Sequence, residues 1–184
     1  MRKQVMRCFW ELGYEGASMS ALEGAAGIDR RQLARDFGNK RGMFLQALDD
    51  FSVRAGDLFL AGMEVEGAGR KAIEATLRKL GDPYKSPVGH LGCLLCNTSR
   101  EPVLHQDDIV RGKVHAYFER IEAAYLRALR NAHAEGEIRT EPRQLRSVAR
   151  RLLADHVGLV VLARSQVPTP VLKDAARHAI RTLA

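Results

Sequence analysis

Residues 18–38 read SMSALEGAAGIDRRQLARDFG, and their pattern indicates how the first part of the chain folds. Ser18 and Asp29 carry the short oxygen-bearing side chains that accept hydrogen bonds from the unpaired N–H groups at the start of a helix. Gly27 follows the first helical pattern and can adopt the left-handed backbone conformation that ends a helix. The stretch therefore predicts two short helices joined by a sharp turn, Met19–Ala26 and Arg30–Phe37.

A third helix is predicted ahead of this pair, because Val5, Phe9 and Leu12 recur at the spacing of one helical face. Two short helices that are separated by a glycine-containing turn and supported by a third helix are the arrangement of a helix-turn-helix. We expect its small core to contain the apolar residues of the two short helices and the turn: Leu22, Ala25, Ala26, Ile28, Leu33 and Phe37.

Polar side chains remain for the outer surface of the second short helix: Arg30, Arg31, Gln32, Arg35 and the single acidic residue Asp36. Arginine matches the acceptor edge of guanine, glutamine matches adenine, and both can also bind phosphate. A helix that enters the major groove of duplex DNA needs such residues at its N-terminal end. The alternative is that they are solvated residues on a short surface helix, and spacing alone leaves both interpretations open.

Helical patterns continue through the rest of the chain, and patterns typical of strands are nearly absent. The sequence predicts an all-α fold of about nine helices, in which the fourth runs from residue 40 to about residue 63. An N-terminal three-helix helix-turn-helix DNA-binding domain takes residues 1–45. A larger helical ligand-binding and dimerisation domain, which is the regulatory part, takes residues 46–184.

Three motifs resemble the DNA-binding domain of the TetR family of repressors. They are Phe9-Trp10-Glu11-Leu12-Gly13-Tyr14-Glu15-Gly16-Ala17-Ser18-Met19, then Ala25-Ala26-Gly27-Ile28, and then Phe37-Gly38-Asn39-Lys40 with Phe44. The resemblance runs without a gap through roughly residues 4–48. A weaker likeness lies at residues 92–98, which are similar to a Gly-Cys-x-x-x-Asn segment in the ligand-binding domains of some members.

This resemblance implies a transcriptional regulator, most simply a repressor that leaves a palindromic operator in double-stranded DNA when a small effector binds. By the same resemblance, Ser18 and Lys40 would hold phosphates at the starts of two helices. Gln32 and the neighbouring arginines would face the bases. Helix N-termini also favour phosphate for a physical reason, because their N–H groups and dipole point at the anion.

The last two predicted helices have an apolar pattern that indicates association with a second copy of the chain. Residues 157–163 are apolar on every side of a helix, so they must be buried all round. Pairing with a second copy into a four-helix bundle would bury them and would make the protein a homodimer. The predicted interface residues are Leu152, His156, Val160, Leu172, Ala176 and Ile180. The alternative is burial against the long helix of the same chain.

Apolar residues with a few polar groups recur in the middle helices and predict a cavity for a small, largely hydrophobic effector. The hydroxyls of Tyr117 and Tyr125 and the amide of Asn97 need hydrogen-bond partners on otherwise apolar faces. The predicted ligand-binding residues are Leu60, Met63, Leu77, Tyr84, Leu94, Asn97, Tyr117, Ile121 and Tyr125. The alternative for most of them is a place in the ordinary core.

Cys93 and Cys96 form a C-x-x-C pair that fits two interpretations. The pair could be a thiol-based redox switch, which would make the protein a TetR-like redox sensor, or half of a metal site. No second cysteine pair or closely spaced histidine pair completes a zinc site, so we expect no metal and no other cofactor. In the alternative, two cysteines three positions apart on a helix act as small buried hydrophobes.

Composition and charge limit which other classes of protein this chain can belong to. The 184 residues carry a formal net charge of +7, of which residues 1–50 hold only +1, so the overall charge does not locate a DNA-binding surface. The longest apolar stretch is far shorter than a membrane-spanning helix, and no signal-peptide pattern is present, so we expect a cytoplasmic protein that does not enter a membrane. No nucleophile–base pair or phosphate loop supports an enzyme, and an all-helical enzyme or carrier without DNA binding is the remaining alternative.

Overall fold

The structure is a computed structural model that describes residues 1–183. Over this range the chain forms eleven α-helices and three short 3-10 turns and contains no strand, which confirms the predicted all-α fold. In chain order the helices are α1 (Arg2–Gly16), α2 (Met19–Ala26), α3 (Arg30–Phe37), α4 (Lys40–Phe59), α5 (Ala61–Glu64), α6 (Arg70–Leu80), α7 (Leu94–Thr98), α8 (Val103–Gln106), α9 (Asp108–Ala134), α10 (Leu145–Arg164) and α11 (Thr169–Arg181). Among the described residues, no helix combines the length and the apolar character that crossing a membrane requires.

The two short helices of the predicted helix-turn-helix are confirmed with their predicted bounds. The Ser18 Oγ accepts a hydrogen bond from the backbone N–H of Ala21 at 3.1 Å, and the Asp29 carboxylate accepts one from the N–H of Gln32 at 2.8 Å. Gly27 ends α2 in the left-handed conformation, with φ 69° and ψ 26°. The turn between α2 and α3 therefore forms for the local reasons that the sequence indicates.

Two residues that the sequence places in the core, Leu12 and Ala25, are not buried in the structure. Leu12 is 51% exposed and Ala25 is also exposed, and both line an open groove between α1 and α2. Phe9 is the last buried residue of α1, and the helix bends further on, at Gly13, which has φ 75° and ψ 175°. Periodicity places Leu12 on the same face as Val5 and Phe9 but does not show whether another element covers it.

The helix predicted from residue 40 to about residue 63 is instead two helices, since Leu60 separates α4 from α5. Side chains from α6 bind the last carbonyl groups of α4. The Thr76 hydroxyl donates to the Phe59 carbonyl at 2.8 Å, and the Lys79 ammonium donates to the Leu58 carbonyl at 2.7 Å. Tertiary contacts thus stabilise an early end to α4 by satisfying its terminal carbonyls.

Contacts divide the chain into two compact units, and each includes part of α4 and part of α9. Unit 1 comprises residues 1–54 and 93–116, so the predicted domain boundary after residue 45 falls inside it. In unit 1, α1 packs against α2 and α7. Aromatic contacts join α1 to α4, with 5.0 Å between the ring centroids of Phe9 and Phe44 and 4.9 Å between those of Trp10 and Phe51.

Unit 2 comprises residues 55–92 and the chain from Tyr117 onward. Within it, α11 packs against α6 and α10. The approach between α6 and α11 is close enough that a Cβ atom at Gly81 would lie 2.7 Å from the Cβ of Ala176. Glycine at the end of α6 therefore lets these two helices pack at this distance.

Candidate nucleic-acid interface

The outer face of α3 carries basic side chains that the protein does not neutralise. Arg30, Arg31 and Arg35 are exposed and form no ion pair or hydrogen bond with any residue between 1 and 183. Gln32 is half-buried beside them, with its backbone N–H bound to the Asp29 carboxylate. All four predicted base-facing residues therefore lie at the surface, on one short helix.

Several arginines elsewhere on the surface have acidic partners, whereas α3 brings three exposed arginines without such partners together on one short helix. Arg7 pairs with Glu11 at 2.7 Å, and Arg120 pairs with Glu64 at 2.8 Å. An arginine cluster without such partners keeps its positive potential and attracts a polyanion. Neutralising phosphates with such groups releases condensed counterions from DNA, which is the main source of electrostatic affinity.

The predicted phosphate-binding residues lie at the starts of α2 and α4. Ser18 is exposed and caps α2, so the first N–H groups of that helix are near its hydroxyl. The Lys40 ammonium lies 4.8 Å from the centroid of the Tyr14 ring and 3.4 Å from the carbonyl oxygen of Glu15. Both helix starts can present N–H groups and a favourable dipole to an anion.

Arg41 follows Lys40 in the sequence but has a different environment. Its guanidinium binds the Asp107 carboxylate with two hydrogen bonds, 2.5 Å from Nε to Oδ2 and 3.0 Å from Nη2 to Oδ1. This guanidinium is the main reason that the pKa of Asp107 is lower than its ordinary value, so Asp107 is ionised at neutral pH. Sequence reasoning missed the pair, because no local motif links residues so far apart in the chain.

The predicted ligand-binding residues fall in both units. Leu94 and Asn97 belong to unit 1, and the other seven belong to unit 2: Leu60, Met63, Leu77, Tyr84, Tyr117, Ile121 and Tyr125. All except Asn97 and Tyr84 are buried by their own chain. The Tyr84 hydroxyl is 3.1 Å from the Ala163 carbonyl and 3.0 Å from the Val167 carbonyl, so it ties the loop after α6 to the end of α10.

Tyr125 finds its polar partner in His156. The Tyr125 hydroxyl lies 3.2 Å from His156 Nδ1, and both side chains are buried. Burial lowers the pKa of His156 to about 4, so the imidazole is neutral at physiological pH. Sequence reasoning identified the need of Tyr125 for a partner but assigned His156 to a different role.

The residues of the predicted dimer interface lie on α10 and α11, and their role in a dimer stays a prediction. The six residues, Leu152, His156, Val160, Leu172, Ala176 and Ile180, are all buried within the single chain. In the single chain α10 and α11 pack against each other and against α6, and His156 also contacts Tyr125 and Phe59. This burial favours the alternative interpretation, in which the same chain covers these residues.

Cys93 and Cys96 are buried and close together. A hydrogen bond that the Cys96 thiol donates to Cys93, together with burial, raises the pKa of Cys96 well above the ordinary thiol value. The reactive form of cysteine is the thiolate, and a raised pKa disfavours it. The arrangement favours the interpretation of the pair as small buried hydrophobes over that of a redox switch.

Comparison with known families matches the helix-turn-helix region. Residues 4–47 match the family described as bacterial regulatory proteins, tetR family. Over 175 residues the chain is 26% identical to the uncharacterized HTH-type transcriptional regulator YezE of Bacillus subtilis (strain 168), and the match covers 93% of this chain and 88% of YezE.

Two solved structures extend the similarity to the whole fold. A cysteine mutant of the TetR family transcriptional regulator CifR, complexed with 26bp double-strand operator DNA, is 25% identical with a TM-score of 0.86, over 100% of this chain and 95% of CifR. A TetR transcriptional regulator from Chloroflexus aurantiacus J-10-FL is 26% identical with a TM-score of 0.77, over 98% of this chain and 92% of that one. The chain therefore carries a match to the tetR family at residues 4–47 and is similar over its whole length to TetR-family transcriptional regulators.

Proposed function

We propose that this protein is a transcriptional repressor that binds a palindromic operator in duplex DNA as a homodimer and is released by a small, largely hydrophobic effector. The observation that carries the DNA-binding part is the exposed, unneutralised face of α3, with Arg30, Arg31 and Arg35 around Gln32. The structure of CifR with operator DNA supports the choice of duplex DNA as the partner. The N-terminal end of α3 enters the major groove, and Ser18 and Lys40 bind phosphates.

A homodimer follows from a second surface, the outward face of α10 and α11. Small and apolar residues on this face are exposed or half-buried in the single chain: Ala154, Val157, Gly158 and Val161 on α10, and Val171 and Ala175 on α11. A second copy packed there would form a four-helix bundle and bury this face. A twofold dimer reads two equivalent half-sites about one helical turn apart, or a multiple of that, which is why the operator is proposed to be palindromic.

The proposed effector binds in unit 2, among the apolar side chains around Tyr117 and Ile121. These side chains are buried from solvent in the structure described, so an apolar ligand must displace part of this unit to enter. An effector that prefers the displaced arrangement lowers operator affinity only if DNA prefers the original one. Release by an effector thus requires two conformations of the same dimer.

The test of DNA binding uses duplexes enriched by the wild-type protein from a random-sequence pool. We expect the enriched sequences to be palindromic, and Arg31→Ala and Arg35→Ala each to weaken binding about tenfold or more, because each removes a base or phosphate contact. Fluorescence anisotropy at fixed salt measures the affinity. Addition of a panel of small apolar compounds to the bound complex tests release.

Arg7→Ala is the matched control, since Arg7 is another exposed arginine of unit 1 but pairs with Glu11. Its affinity should remain near that of the wild type. If both α3 variants bind the enriched duplex as tightly as the wild type does, the proposed interface is incorrect. If no sequence is enriched at all, the assignment as a specific DNA-binding protein fails.

A further inference from the structure

Glu101, in the turn between α7 and α8, reaches across unit 1 to α1. Its carboxylate accepts a hydrogen bond from the backbone N–H of Tyr14 at 2.6 Å, and the N–H of Glu15 also donates to it. The side chain is half-buried at this contact. A carboxylate from the middle of the chain therefore binds the backbone of the helix-turn-helix region directly.

The kink at Gly13 creates the place where this carboxylate binds. Because Gly13 has φ 75° and ψ 175°, the regular hydrogen-bond series of α1 is interrupted, and the next N–H groups need another acceptor. A Cβ atom at Gly13 would lie 3.0 Å from Glu101 Oε2, so glycine is also what allows the close approach. Glu101 acts as the cap for the last turn of α1.

The two residues whose N–H groups bind Glu101, Tyr14 and Glu15, also contact the Lys40 ammonium. The Tyr14 ring lies under the Lys40 ammonium, which also donates a hydrogen bond to the Glu15 carbonyl. Tyr14 is fixed from the other side by Phe44, with 4.8 Å between the ring centroids. The position of the Lys40 ammonium therefore depends on the same two residues whose N–H groups bind Glu101.

A second carboxylate from the same part of the chain holds the start of α4. Asp107 binds the guanidinium of Arg41, next to Lys40, and also accepts hydrogen bonds from the N–H groups of Ile109 and Val110 at 3.0 and 3.2 Å. Two carboxylates from residues 93–116, those of Glu101 and Asp107, thus bind residues next to Lys40. Glu101 acts on the Tyr14–Glu15 side and Asp107 on the α4 side.

We propose that Glu101 is a positioning residue for DNA binding: by holding the turn at Tyr14 and Glu15, it directs the Lys40 ammonium toward an operator phosphate. This inference rests on the proposed function. It gives residues 93–116, which carry no predicted DNA contact, a defined influence on operator affinity. Glu101 itself does not contact DNA.

A double-mutant cycle between Glu101 and Lys40 tests the proposal with the enriched duplex as probe. We expect Glu101→Ala to weaken binding about tenfold, the size of one charge-assisted hydrogen bond, and to reduce the salt dependence of log Kd by about one phosphate contact. Lys40→Ala should do the same, and the double variant should bind no more weakly than Lys40→Ala alone, because Glu101 acts through Lys40. Glu101→Gln, which keeps an acceptor oxygen, should retain most of the affinity.

Glu11→Ala is the matched control, since Glu11 is an exposed glutamate of α1, and it should leave affinity and salt dependence unchanged. Additive losses in the double variant, or wild-type binding by Glu101→Ala, would overturn the role of Glu101. If Glu101→Ala does not fold by circular dichroism, Glu101→Asp, whose shorter side chain withdraws the carboxylate from the N–H groups, replaces it in the cycle with the same expectations. Loss of preference for the enriched duplex by the wild type would instead reject the proposed function, whatever Glu101 does.

Discussion

The buried pair of Tyr125 and His156 shows how one side chain sets a pH dependence. His156 is enclosed in unit 2, with the Phe59 ring 6.0 Å from its own and the Tyr125 hydroxyl at hydrogen-bond distance. Burial opposes the charged imidazole, which lowers its pKa from 6.5 to about 4. The unfolded chain takes up a proton on His156 below pH 6.5, whereas the folded chain does so only near pH 4.

We therefore expect the free energy of unfolding to fall as the pH is lowered from 6.5 to about 4, with His156 contributing about 3 kcal/mol to that fall. In His156→Gln, which can still hydrogen-bond to Tyr125, the dependence over this range should be shallower. Urea unfolding at a series of pH values measures the difference. His178→Gln changes an exposed histidine and should reproduce the wild-type slope; equal slopes for wild type and His156→Gln would contradict the assignment.

The stability of the short helix α3 depends on its N-terminal cap and its buried side chain, because the helix is too short to be stable alone. It has only 8 residues, and isolated helices of that length are not stable in water. Its first turn is held by the Asp29 carboxylate, and Leu33 is its buried anchor. The cap therefore matters both to the stability of α3 and to the orientation of the basic residues that follow it.

Asp29→Ala should lower the free energy of unfolding by about 1 kcal/mol, because the N–H of Gln32 loses its acceptor and the helix start loses a favourable negative charge. Thermal and urea unfolding measure this change. Asp36→Ala removes the same group from the other end of α3, where a negative charge is unfavourable, and should have little effect or stabilise slightly. Equal destabilisation by the two variants would show that the cap is not the cause.

The proposed homodimer depends on a face of α10 and α11 that the single chain leaves uncovered. Val161 is 38% exposed on α10 and Val171 is 48% exposed on α11. Gly158, also on α10, has open space where a side chain would be. Such a face of small and apolar residues lets two helices approach closely when a second copy covers it.

Val161→Glu should dissociate the dimer, because a second copy would bury two unpaired carboxylates near the twofold axis. Light scattering at micromolar concentration should then give a mass near the 20.4 kDa of one chain. Val65→Glu is the control, since Val65 is 61% exposed in unit 2 but lies outside α10 and α11. An intact dimer with Val161→Glu would refute this interface.

Local signals account for the parts of the fold that the sequence predicted well. The caps at Ser18 and Asp29 and the left-handed turn at Gly27 involve residues no more than four apart, so a short stretch of sequence contains all the interacting groups. The exposed arginines of α3 follow from the same local pattern, because the helical period fixes which side chains face away from the core. The ligand-binding residues remain a prediction.

Contacts between distant residues account for what the sequence did not reveal. Glu101 binds the backbone of Tyr14, 87 positions earlier, and Asp107 binds Arg41, 66 positions earlier. The apolar faces around Leu152 and Leu172 were recognised, but periodicity specifies only that a face must be covered. Whether the same chain or a second copy covers it depends on the free energy of the complete packing, and hence on every element that competes for that face.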